Sequence, residues 1–71
     1  MYYVLESQIT KDKKTQKNSS AVNVFTFDKK DDAMSKYHEI LMYASKSELF
    51  KHGAIILSED LIVIKSEVYA H

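Results

Sequence analysis

The chain has no cysteine and no arginine, and Gly53 is its only glycine. Without cysteine, disulfides and thiolate metal sites are excluded. Without arginine, the usual bidentate contacts to phosphate and to guanine are missing. Ten lysines are balanced by ten acids, so a dedicated nucleic-acid binder, which would carry a basic surplus, is not expected. One glycine cannot build a phosphate-cradling loop. No apolar run approaches the roughly 18–20 residues of a membrane span. The start, Met1 to Glu6, lacks the basic and long apolar stretches of a signal peptide, so a cytoplasmic location is expected. The three histidines, His38, His52 and His71, are spaced 14 and 19 residues apart and form no compact metal motif. No cofactor, metal or small-molecule substrate is implied.

What the chain does have is 71 residues, enough for a single domain over 1–71. A domain of that size buries only about 60% of the surface its unfolded chain exposes. Small domains are usually reinforced by a disulfide, a metal or a partner subunit. With the first two excluded or unsupported, oligomerisation remains, and a homodimer is expected.

Residues 2–9 are rich in β-formers and read as a strand; 10–20 carry no apolar residue and read as a mobile loop; 21–27 return to β character. Asp28 occupies the place of a helix N-cap, and Asp31 and Asp32 follow where the helix dipole favours negative charge. Ala33, Tyr37, Ile40, Leu41 and Ala44 form one amphipathic stripe, predicting a helix over about 29–46. Residues 45–51 fit either a helical extension or a loop capping the core. Gly53 suits a turn or C-cap. Two apolar runs then flank Ser58-Glu59-Asp60, predicting strands over about 53–58 and 61–69. The fold expected is α+β of ββαββ type: a four-stranded antiparallel or mixed sheet with one helix on one face. Several strand orders keep both hairpins intact.

A half-solvated antiparallel sheet should alternate apolar and polar residues, and this one does not. Tyr3, Leu5 and Ile9 point one way in the first strand, Tyr2 and Val4 the other. Ala21, Phe25 and Phe27 share one face of the second strand, Val22 and Val24 the other, and the last hairpin is apolar on both faces. If the large aromatics mark the helix side, the second face carries Tyr2, Val4, Val22 and Val24. Such a patch usually marks an interaction surface, here one for sheet-to-sheet packing or edge pairing. On the helix, Met42 lies opposite the core stripe beside Met34, His38 and Tyr43, and is a further candidate contact.

Catalytic motifs are absent. Ser35 and His38 neighbour each other on a helix without a nucleophile elbow or an orienting acid. Capping accounts for Asp28, Asp31 and Asp32. Lys11, Lys13, Lys14 and Lys17 offer phosphate contacts, although no aromatic is interleaved with them for base stacking.

The order Tyr2-Tyr3-Val4-Leu5-Glu6, Val24-Phe25-Thr26-Phe27, an acidic helix with Ala33 and Tyr37-His38, and Ile62 to Tyr69 at the end resembles a group of short uncharacterised proteins from bacteria and their phages. The resemblance implies a phage or prophage accessory protein that acts by binding a host protein, inhibitors of host defence systems included, and it carries no active site. The expected function is therefore a non-enzymatic protein-binding module with an unknown protein partner. The alternative is a weak, nonspecific nucleic-acid accessory protein using the basic 11–17 segment.

Overall fold

A computed structural model describes residues 1–71. The elements run β1 (Tyr2–Lys11), β2 (Asn18–Phe27), α1 (Lys30–Lys46), β3 (Lys51–Ser58) and β4 (Val63–Ala70). One sheet has the order β2-β1-β3-β4, and every neighbouring pair is antiparallel. β2 and β3 flank β1 and therefore run parallel to each other. Helix α1 is the crossover between them, laid on one face of the sheet.

The first hairpin is longer than its apolar residues suggest. Thr10, Lys11 and Asn18 to Ser20 belong to strands, and Lys11 pairs with Asn18. The backbone ladder outruns the hydrophobic pattern here. The turn itself is closed by hydrogen bonds: Asp12 N–H donates to the Lys17 carbonyl at 2.9 Å and Gln16 N–H to the Asp12 carbonyl at 2.8 Å. Lys14 N–H donates to Asp12 Oδ1 at 2.8 Å. The expected mobile loop over 10–20 is thus reduced to a structured turn between Lys11 and Asn18.

Helix α1 starts one residue later than expected, and Asp28 is not its cap. The N-cap position is Lys29, which makes no side-chain capping bond. Asp31 and Asp32 do sit in the first turn and Lys46 in the last, complementing the dipole. The helix ends at Lys46. Ser47 N–H donates to the Ala44 carbonyl at 3.2 Å, and Leu49 N–H to Ser47 Oγ at 3.1 Å. The C-terminus closes the same end: His71 Nε2 donates to the Ala44 carbonyl at 3.0 Å, and His71 N–H to the Phe50 carbonyl at 3.0 Å. Leu49 and Phe50 follow as half-buried loop residues.

The core lies between α1 and the central strands. Ala33, Tyr37, Ile40 and Leu41 from the helix meet Val4, Ala54 and Ile56 from the sheet, and Val4 and Ile56 are fully buried. Phe25 and Phe27 pack against this cluster from edge strand β2, and Lys36 lays its ammonium 4.5 Å from the Phe25 ring. Burying one such aliphatic side chain stabilises the fold by about 1.5–3 kcal/mol.

Gly53 is not a turn residue. It sits inside β3, buried between Ser7 of β1 and Val68 of β4. A Cβ there would stand 2.8 Å from the Val68 Cα and Cγ2, so the close approach of β4 requires glycine. The reversing residue is instead Leu61, whose φ is 64°. Ser58 N–H donates to the Ile62 carbonyl and Leu61 N–H to the Ser58 carbonyl, both at 2.9 Å. Leu61 and Ile62 are therefore turn residues, and β4 starts at Val63.

Candidate protein-contact surface

The antiparallel register of β1 and β2 decides which side chains share a face. Tyr2 lies opposite Phe27, Val4 opposite Phe25 and Leu5 opposite Val24. Even-numbered residues of β1 therefore go with odd-numbered residues of β2, and these face the helix. Val4 is at the centre of the core and Tyr2 packs against its edge. Their expected place on the uncovered face is corrected: the faces of β1 are exchanged relative to β2. Val22 and Val24 are on the open face, 56% and 59% exposed. Met42 stands on the outer surface of the helix, 54% exposed, beside exposed His38 and Tyr43.

The exchange leaves the more apolar set of β1 uncovered. Tyr3 and Leu5 on β1, Val24 on β2, Ile55 and Leu57 on β3, and Val63 and Val68 on β4 make the open face, with Ser7, Gly53 and Ser66 among them. No charged side chain interrupts the rows from Tyr3 to Ser7. At Gly53 the face dips into an apolar groove of about 270 Å3, walled by Leu5, Ser7, Val22, Ile55, Ser66 and Val68. Sequence alternation contained Tyr3 and Leu5 as a set but gave no sign of which side the helix takes. The signal that could have shown it is the hairpin register, since an odd sum of paired residue numbers reverses the parity of the two strands.

The helix side carries the polar cluster instead. Glu6 accepts hydrogen bonds from His52 Nε2 at 2.8 Å, Asn23 Nδ2 at 3.1 Å and Gln8 Nε2 at 3.3 Å. Burial pushes the Glu6 carboxyl up, but the bonds from His52, Asn23 and Gln8 and the charge on His52 outweigh it, so its pKa lies below the usual value. An ionised carboxylate only accepts, so Nε2 carries the proton in that contact. The buried Nδ1 of His52 has no hydrogen-bond partner. Beneath the helix, burial, then the charges of Glu67 and Tyr69, raise the Tyr37 phenol.

Of the lysines expected near phosphate, the fold brings Lys11 and Lys13 together at a cavity of about 340 Å3 with Gln16, Glu48, Phe50 and His71. Lys14 and Lys17 do not line it. The Lys11 and Lys51 ammonium groups lie 5.4 and 5.7 Å from the Phe50 ring centre. Ser35 and His38 are both exposed, with no hydrogen bond between them; His38 stacks edge-on to Tyr37 at 5.5 Å. No group of three His, Asp or Glu side chains converges in a way that would hold a metal ion. No helix is long and apolar enough to cross a membrane. Comparison with protein-family models, with curated proteins and with solved structures returns no match.

Proposed function

We propose that this chain is a non-enzymatic protein-binding module, cytoplasmic, whose contact surface is the open face of the sheet and whose first partner is a second copy of itself. One observation carries the reading. A face holding Tyr3, Leu5, Val22, Val24, Ile55, Leu57 and Val68 without a charge among them is left uncovered by the only helix. Contiguous apolar surface of that kind marks an interaction site. The accessory role in a phage or prophage is supported by the sequence resemblance alone.

The test is retention on immobilised protein. The wild-type chain should retain a protein, its own free chain included, and Val24→Lys should not, while its circular dichroism stays unchanged. Equal retention by both would overturn the reading.

A second reading has a specific observation in its favour. Phe50 supplies, beside Lys11 and Lys13, the aromatic neighbour that the 11–17 segment lacks in sequence, and stacking platforms of this kind hold single-stranded nucleic acid. A salt-dependent gel shift of single-stranded DNA at about 50 mM salt that is lost in Phe50→Ala would support it. No shift would dispose of it.

A further inference from the structure

The two ends of the molecule are oppositely charged. The principal extents are 43 × 22 × 14 Å, and the strands run along the long axis. At one end, around the first turn and the start of β3, lie Lys11, Lys13, Lys14, Lys17, Lys46 and Lys51 against two acids, Asp12 and Glu48. At the other end, Tyr2 pairs with both Phe27 and Ser58, which gathers Asp28, Asp31, Asp32, Glu59 and Asp60 against Lys29 and Lys30. The amino terminus at that end is itself engaged by Glu59 at 3.4 Å.

We propose that two copies pack open face to open face with their strands antiparallel, related by a two-fold axis that lies between the sheets and crosses the strands between the levels of Leu5 and Ser7. This arrangement rests on the open face being the contact surface. It sets the lysine-rich end of each copy over the acidic end of the other; a parallel arrangement would stack like charges, which costs association. The axis also dictates the contacts. Each strand lies over its own counterpart, so Val22 meets the partner's Val24, and Ile55 stands over the partner's Gly53. The groove of about 270 Å3 at Gly53 is thus the hole into which the second copy's Ile55 enters, and the same contact is made twice, as a two-fold interface demands. Four strands at about 4.8 Å spacing and about eight residues of length cover about 500 Å2 per copy, or about 1,000 Å2 in all, the least that a specific interface needs. The glycine that β4 requires for its close approach thereby also shapes the interface.

The experiment uses the full chain. Light scattering across about 1–100 μM should give a dimer, and Val24→Lys, an edge-strand change that leaves the core intact, should weaken it at least tenfold. Ile62→Cys adds the only thiol to the chain and takes a spin label at the acidic end. In the antiparallel dimer the two labels stand about 30 Å apart, each lying about four to five residues of strand from the axis. Labels within about 20 Å would mean parallel packing, since facing sheets lie about 10 Å apart, and would overturn the proposal. A wild-type monomer throughout also overturns it. If that monomer still retains another protein in a Val24-dependent way, the face remains the contact surface and only self-association fails. A dimer indifferent to Val24→Lys removes both readings.

Discussion

The two faces of the sheet divide the labour that small domains usually give to one core. The helix side holds the fully buried aliphatics, Val4 and Ile56, and also the polar pair of half-buried Glu6 and buried His52. The open side holds no charge over its central rows and no cover. An inner face with ions and an outer face whose central rows have none inverts the ordinary pattern, in which the water-facing side of an antiparallel sheet is polar. Residues under the helix hold the domain together, and residues on the open face, in the proposed reading, act when a second surface arrives.

The helix side is most sensitive at Ile56. Ile56→Ala should cost about 2–5 kcal/mol, from lost burial and the cavity left behind. In a chain of 71 residues that is most of the stability available, so urea melts should show a largely unfolded variant at 37 °C. A loss under 1 kcal/mol would mean that the helix side is not the structural core.

Next in size is Glu6. Glu6→Gln removes a charge that accepts three side-chain bonds and should cost about 1–2 kcal/mol. The pH dependence follows from the lowered carboxyl. Because its folded pKa is below the ordinary value of 4.5, the unfolded chain takes up a proton before the folded one does as pH falls. The contribution is complete above 4.5 and is lost as pH falls through and below it. Thermal melts of the wild type from pH 7 to pH 3 should show this decline, and Glu6→Gln should flatten it. An unchanged acid limb would place the acid sensitivity elsewhere.

On the open side, Val68→Ser should change the stability of the dilute monomer by less than about 0.5 kcal/mol, as exposed substitutions do. Its effect should grow with protein concentration, because a partner that binds only the folded state stabilises it by mass action. Melting temperatures measured at about 2 and 200 μM should diverge for the wild type and converge for the variant. A loss at low concentration matching that of Ile56→Ala would erase the distinction between the two faces.

The sequence made the element order legible because each element carries its own periodicity: the helical stripe from Ala33 to Ala44 and the β-rich runs around it. Face assignment was not local. Whether Tyr2 or Tyr3 points at the helix depends on which residue of β2 each one meets, and that is set in a polar turn whose apolar pattern is silent. The ladder continues through Thr10, Ser19 and Ser20 on hydrogen bonds without apolar contacts to mark it, where hydropathy sees only loop. Glu6 and His52 are 46 residues apart, and nothing in either segment announces the other. Gly53 was misread because its constraint is a neighbouring strand, not a turn.

The smallest effect tests the acidic tip. Leu61 is 69% exposed and holds a left-handed φ of 64°, which costs a β-carbon residue about 1 kcal/mol relative to glycine. Its side chain buries little in return. Leu61→Gly should therefore raise stability by about 0.5 kcal/mol, the relieved strain being partly offset by the greater freedom of glycine in the unfolded chain. The gain should be the same at about 2 and about 200 μM, because the proposed antiparallel axis runs through the middle of the strands and leaves Leu61 out of the apolar contact. A gain seen only in dilute solution would mean that Leu61 packs against the second copy, extending the interface from the open face onto the hairpin tip.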